Sequence, residues 1–273
     1  MVFRPTDYSP AIRFLLKKPV PNRHLVGFLQ SAEPGEMEVY VDDPAHPAGV
    51  MLLMDQVDDA NARRRDVDID AESEQAFVRL LEHLHDRSYF FTFHRSWMIP
   101  LLWQRFEKLS LNRSHYMRVS RETFISRAVK ERVENIREIR EADRPLLDGY
   151  PDEPPSLRKC FDYTVAKWRD GERALRMLGT FDSGRLAAWV QFWMGAGMCE
   201  VMNIHTHPDF RRRGYAAALL SIAVMAIFKD HQEAFYTAPD DNPASIQLAK
   251  SVGFRKHSST YFFNGRLRAE EKK

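Results

Sequence analysis

Cysteine is scarce in this chain: Cys160 and Cys199 are the only two in 273 residues. Two thiols make no disulfide framework, and neither stands at zinc-site spacing from other Cys or His residues, so a reducing compartment and no metal are expected. An excess of one charge is also missing. Forty Lys and Arg face 38 Asp and Glu, a formal net charge of +2. That balance argues against nucleic-acid binding by bulk electrostatics and confines basic patches to local clusters. The longest nearly apolar run, residues 216–228, falls well short of the roughly 18–20 residues that span a bilayer, and reads as a buried helix. Met1 to Tyr8 carry no apolar stretch followed by small residues, so a cytoplasmic protein without membrane contact is expected. Low-complexity segments and solenoid-type repeats are absent.

What is present is a core-forming composition, 44% hydrophobic, long enough for two domains or one large one. Helical spacing or capping predicts helices at residues 9–16, 22–30, 77–84 and 98–109. Apolar runs predict strands at 37–41, 50–54, 89–93 and 116–119, the first two forming a hairpin across the turn-rich segment 42–49. Residues 55–70 read as a polar loop, and 125–133 as a charged helical connection. A second half then opens with a short strand at Ile136, followed by Asp143 capping the next helix. Beyond a proline-rich loop at 151–156, Ser156 caps another helix, and strands at 174–181 and 186–193 are joined by a turn in which Gly184 takes positive φ. A further strand, 199–206, ends at His207-Pro208.

The sharpest feature follows that strand: Thr206-His-Pro-Asp-Phe-Arg-Arg-Arg-Gly-Tyr-Ala216, a basic glycine-containing loop leading into the long apolar helix. The first N–H groups of a helix have no partner within it and favour an anion such as a pyrophosphate. Gly214 permits close backbone approach, Ala216 keeps the wall thin, and Arg211, Arg212 and Arg213 add positive charge. Read alone, the same arginines also suit a solvated helix start. Further on, Asn242 caps a helix whose inward residues are Ile246, Leu248 and Ala249, and Gly253 ends it before Phe254.

Taken together, the two segments resemble the GCN5-related N-acetyltransferase (GNAT) superfamily. Its acyl-CoA site runs Val-x-x-x-x-Arg-x-x-Gly-x-Gly/Ala and is followed by Asn-x-x-Ser/Ala-x-x-Leu-Tyr-x-x-x-Gly-Phe; here Thr206 replaces the valine and Ala249 the tyrosine. The resemblance covers residues 134–263. It implies a mixed α/β GNAT fold in a domain spanning 125–273, with acetyl-CoA as cosubstrate. It also implies that Ile204, His205 and Thr206 offer backbone groups to the pantetheine arm, Arg211 to Ala216, Tyr215 included, hold the pyrophosphate, and Asn242 touches the cofactor near its thiol. Lys250 suits a phosphate contact or simple solvation. Residues 1–124 repeat the order of elements without the glycine loop and are similar to the vestigial first half of glycine N-acyltransferases. One cofactor site is therefore expected.

An amine attacking a thioester must be neutral, which requires a base, and backbone N–H groups at the strand would stabilise the oxyanion. Glu200, four residues before Ile204, stands where histone acetyltransferases of this superfamily place their general base; a solvent-facing strand start is the other reading. His205 and His207 are the other candidates, histidine being the side chain type suited to proton transfer near neutral pH. With Ala249 in place of the usual tyrosine, Ser245 or water is left to protonate the thiolate. Tyr236 and Tyr261 read as core strand residues and Cys199 as packing, while Trp189, Phe192 and Trp193 line either an acceptor groove or the core. The reading is an acyl-CoA-dependent N-acyltransferase moving acetyl to a primary amine of a small molecule, or of a protein; the alternative is a non-catalytic acyl-CoA-binding sensor or scaffold. A homodimer is compatible with either.

Overall fold

A computed structural model describes residues 2–19, 21–31, 37–57, 63–85, 88–128, 134–147, 150–151, 156–195 and 198–268. They group into two compact units, one formed by residues 1–114 with 258–273, the other by 115–257. The expected boundary after residue 124 falls inside the second unit, because β5 and β11 are long strands that begin in one unit and end in the other.

The first unit comprises α1 (Ser9–Leu15), α2 (Arg23–Ser31), β1 (Glu38–Val41), β2 (Gly49–Val57), β3 (Arg63–Ala71), α3 (Glu74–Leu81), β4 (Ser88–Phe93), α4 (Met98–Arg105) and the start of β5 (Phe106–Ser120). β1, β2 and β3 form an antiparallel meander, and β4 returns parallel to β3 through α3. Strand alternation sorts the core into two layers. Val39, Val41, Val50 and Leu52 pack under α1 and α2. Met51, Leu53, Val67, Ile69, Phe91 and Phe93 point the other way, toward α3 and α4.

β3 corrects the sequence expectation of a loop over residues 55–70. Its four charged N-terminal residues, Arg63 to Asp66, mask a strict alternation in which Val67, Ile69 and Ala71 are fully buried. The intervening carboxylates have protein partners: Asp70 pairs with Arg95 and accepts from Asn22 Nδ2 at 2.8 Å, and Asp68 accepts from Thr92. Residues 58–62 of that segment lie outside the description. α4 is shorter than expected and β5 correspondingly longer, because Phe106 turns extended and joins the core.

The second unit repeats the plan. β6 (Ile136–Glu138) and a 3-10 turn (Glu141–Leu147) precede α5 (Leu157–Arg169), whose cap is the Ser156 hydroxyl accepting from the Lys159 N–H. β7 (Leu175–Asp182), β8 (Arg185–Gly195) and β9 (Met198–Thr206) form the meander; α6 (Tyr215–Ile227) carries the chain to β10 (Glu233–Pro239), parallel to β9. α7 (Pro243–Ser251) and β11 (Arg255–Leu267) follow. Ser183 and Gly184 both take positive φ, as a two-residue hairpin turn of the primed type requires. Asp143 caps no helix and instead binds both Arg137 and the Arg140 N–H. Residues 125–128 of the expected helical connection are not helical, and 129–133 lie outside the description, as do 152–155 of the proline-rich loop. α5 packs over Ile139, Met177 and Trp189. α6, apolar almost all round, covers β8 and β9 on the other face. No helix among the described residues is long and apolar enough to cross a membrane.

Two predictions come from this architecture. Gly253 has φ +99°, and a Cβ there would meet the Thr123 carbonyl oxygen at 2.0 Å. Gly253→Ala should therefore destabilise the second unit by about 2–4 kcal/mol, read as a lower denaturation midpoint; an unchanged midpoint would contradict the contact.

Asp68 gives the second. Burial pushes its carboxyl up to about 6, against a smaller opposing pull from His24 and the Thr92 hydrogen bond. A folded-state pKa above the unfolded value makes this group neutral in effect at low pH and destabilising as pH rises through the folded pKa. Asp68→Asn should accordingly stabilise the protein by roughly 1–3 kcal/mol at pH 7.5 and by nothing near pH 3.5. Denaturation of both proteins across that range is the measurement, and a pH-independent difference would overturn it.

Candidate functional site

The site begins where two parallel strands part. β10 matches β9 in register only at Phe235 with Glu200 and Tyr236 with Val201. Past Val201, β9 keeps its pairing with β8 alone, through Asn203, Ile204, His205 and Thr206. The register against β8 slips at this point, between Gln191 and Phe192, leaving Met202 as the extra residue, and such a bulge bends and twists its strand. From Met202 to Thr206 the β10-facing edge of β9 thus no longer continues the β10 register, and this segment includes the residues 204–206 that the resemblance assigns to the pantetheine arm.

The loop after Thr206 is built from its own side chains. His207 is buried; its Nδ1 accepts from the Asp209 N–H at 3.2 Å and its Nε2 faces Arg185 at 3.3 Å, so both ring nitrogens serve the loop. Arg185 also pairs with Asp209 at 2.9 Å and lies over the Phe210 ring. Arg211 Nε donates to the Thr206 carbonyl at 3.2 Å, and Arg212 takes a left-handed conformation with φ +61°. Arg213 approaches Asp182 at 3.5 Å and also lies over the Phe210 ring. The Tyr215 hydroxyl donates to Asp182 at 2.8 Å, and this bond, with that from Ser183 and the positive charge of nearby Arg213, holds the Asp182 carboxyl below its ordinary range. Tyr215 is thus a brace for the loop.

Gly214 is the N-cap of α6 at φ +81°, with no side chain accepting from the first turn. The corresponding turn of the first unit is closed. There Ser73 caps α3 by accepting from the Ala76 N–H, and Glu72 and Glu74 flank it. A hydroxyl occupying the helix donors between two carboxylates repels a phosphate, whereas an uncapped helix behind three arginines attracts one. The residues present fit a pyrophosphate.

Glu200, expected at a strand start that either holds a base or faces solvent, is buried, and its Oε1 accepts from the Thr237 hydroxyl at 2.7 Å. It sits at the first of the two positions where β9 and β10 pair, one residue before they part. His205 lies further along the open segment, half-buried, and its Nδ1 shares a 2.9 Å hydrogen bond with the Tyr150 hydroxyl. Sequence reasoning missed Tyr150, which lies in a proline-rich stretch with no periodic pattern and 55 positions from its partner. Asn242 caps α7, its Oδ1 accepting from the Ser245 N–H at 3.0 Å. Ala249 is fully buried, so no phenol fits there without repacking. Instead the Tyr236 hydroxyl, rising from β10, meets Ser245 Oγ at 2.7 Å, with burial raising the phenol's pKa. Tyr236 is a core residue whose polar tip reaches the first turn of α7. Cys199 is buried with its Sγ on the Glu233 carbonyl. Trp189 and Phe192 are core residues; Trp193 is half-buried opposite Glu200. Among the described residues no group of three or more Cys, His, Asp or Glu is placed to hold a metal ion.

Residues 133–254 match the family model described as Acetyltransferase (GNAT) family, and they form a GNAT domain. No curated protein sequence matches the chain. Solved structures similar to it include a GCN5-related N-acetyltransferase from Sphaerobacter thermophilus, with 11% identity, TM-score 0.66, and coverage of 98% of this chain and 96% of that one. A Drosophila protein has 15% identity and TM-score 0.65, covering 92% of this chain and 89% of its own. A tandem GNAT protein from the clavulanic acid biosynthesis pathway has 14% identity and TM-score 0.63, over 96% and 94%. At these identities the likeness is one of fold, and it extends over the first unit as well.

If the uncapped turn at Gly214 holds a pyrophosphate, Gly214→Glu should abolish CoA binding, since its carboxylate would occupy and repel the anion's position. Gly214→Asn, which tolerates the left-handed backbone without a charge, should bind more tightly than Gly214→Glu. Calorimetry on the folded variants decides, and wild-type affinity in Gly214→Glu would remove this turn from the site.

Proposed function

From the GNAT domain at residues 133–254, we propose that this chain is an acyl-CoA-dependent N-acyltransferase that moves acetyl onto a primary amine of a small molecule. One observation carries the reading. A strand edge left open by the parting of β9 and β10 leads directly into an uncapped, arginine-lined helix start, with the buried carboxylate of Glu200 at the base of the parting.

When bound, acetyl-CoA supplies an activated thioester. The chain's residues do the rest. Arg211, Arg212, Arg213, Gly214, Tyr215 and Ala216 would hold the pyrophosphate, with the α6 N–H groups and the guanidiniums as donors and Tyr215 bracing the loop through Asp182. The open edge at Ile204, His205 and Thr206 would orient the pantetheine arm and present N–H groups to the developing oxyanion. Asn242 would contribute from the α7 cap. Glu200, oriented by Thr237, would take the proton of the incoming ammonium. His205, fixed by Tyr150, is a second proton acceptor along the same strand. The hydroxyl pair of Tyr236 and Ser245 would return a proton to the departing sulfur in place of the phenol that position 249 lacks.

The fully buried Ala249 favours a second reading, binding of acyl-CoA without turnover. Release of free CoA across a panel of small primary amines supports the transferase; tight acetyl-CoA binding without release in the presence of any amine supports the second reading.

For the transferase, Glu200→Gln keeps size and the Thr237 hydrogen bond but removes basicity. The rate should fall by roughly 10²–10⁴ with acetyl-CoA affinity near wild type, and the loss should shrink at high pH, where free amine is abundant. A variant as fast as wild type at neutral pH would transfer the role to His205 or to solvent.

A further inference from the structure

The second unit contains a cavity of about 850 Å³ that the transferase reading leaves unused. It opens at the outer edge of β7, where β6 has ended after three residues, between the last turn of α5 and the C-terminal end of β8. Four of its lining side chains are guanidiniums: Arg140, Arg169, Arg173 and Arg176. Two carboxylates share the wall, and each is already matched. Glu138 pairs with Arg176 at 2.9 Å and Glu141 with Arg169, which also complements the C-terminus of α5. Arg140 and Arg173 form no ion pair among the described residues, and both side chains are exposed. Arg140 has Asp143 within electrostatic range, and with four guanidiniums against two carboxylates the lining is net positive.

Its remaining wall is apolar. Ile139 and Val165 are buried beneath it, Met194 closes one side, and the Trp168 indole is pinned by an Nε1–H bond of 2.7 Å to the Leu175 carbonyl. A flat ring held edge-on by its only donor offers its face for stacking. The volume falls within the range that encloses small organic ligands. Four guanidiniums around two carboxylates leave the wall net positive, which favours an entering anion, and arginine forks match phosphate and carboxylate oxygens. The cavity is also distinct from the loop at Arg211. Met194 pairs with Cys199, and Ala188 with Thr206 just before that loop, so the two lie six residues apart along β8, roughly 20 Å at about 3.3 Å per residue.

We propose that this cavity binds a small dianion carried on a flat apolar body, with Arg140 and Arg173 as its anion ligands and Trp168 as its stacking wall. The dianion's two charges match the two unpaired guanidiniums, and the body fills the apolar remainder.

The test is calorimetric titration of the full chain, saturated with acetyl-CoA, using four probes: phenyl phosphate, phthalate, inorganic phosphate and benzyl alcohol. Phenyl phosphate or phthalate should bind with one-to-one stoichiometry at least tenfold more tightly than inorganic phosphate or benzyl alcohol. The tighter of the two identifies a phosphate monoester or a dicarboxylate as the natural group. Raising salt should weaken binding, and Arg140→Gln with Arg173→Gln should weaken it at least tenfold, while the melting temperature and acetyl-CoA affinity stay unchanged. Arg173→Gln alone serves if the double variant is unstable. Equal binding of benzyl alcohol, no saturable binding of either dianion, or variants that bind as well as wild type would overturn the proposal. Loss of acetyl-CoA binding in the variants would assign these arginines to the cosubstrate instead and overturn it too. Because binding is read without an amine or turnover, failure of the transferase reading leaves this test intact.

Discussion

Backbone groups in a sheet normally satisfy one another, and the second unit depends on one place where they stop. β9 and β10 meet at two positions and then part. A strand edge left open costs the stability of its missing hydrogen bonds and invites pairing from outside. Here the opening is built in. The slip beside Met202 turns β9 away, and Glu200 and Thr237 bridge the strands by their side chains, one on either side of the last paired position, Val201 with Tyr236. The proposed chemistry follows from that wedge: the open edge would receive an extended ligand, the helix start beyond it would receive charge, and the buried carboxylate stands at its base.

Both units use the same frame of a three-strand meander, a helix and a parallel fourth strand, and they differ at the turn that enters the helix. In the first, a serine hydroxyl and two glutamates fill the helix start with acceptors. In the second, a glycine in the left-handed conformation leaves the donors open behind three arginines. A difference of a few residues at one turn thus separates an open helix start from a closed cap without disturbing the strands, because capping acts on the first turn alone.

Near-neutral net charge conceals the local handling of charge. Buried Asp42 is matched by Arg79 and two backbone N–H groups, and Asp70 by Arg95 and Asn22. Asp68, with a hydroxyl and a histidine in place of a cation, holds its proton to higher pH. Positive charge gathers at two separate places in the second unit, the loop at Arg211 to Arg213 and the cavity lined by Arg140, Arg169, Arg173 and Arg176. Local clusters of this kind favour an external anion.

The sequence alone determined the features that rest on local chemistry. Ser156 and Asn242 cap their helices as read, Gly184 and Gly253 take positive φ, and the glycine loop lies between a strand and a helix, because capping and turn geometry need only a few adjacent residues. Repetition of one plan in both halves was legible from the order of elements. β3 was not, since Asp66, Asp68 and Asp70 look like loop residues until Asn22, Thr92 and Arg95 close around two of them. Tertiary structure alone decided that Glu200 is buried against Thr237, that Tyr150 meets His205, that Tyr236 reaches Ser245, and that arginines from four segments share one cavity. These join residues on different elements, up to 55 positions apart for Tyr150 and His205, and spacing along a sequence carries information only about neighbours within a turn or a strand.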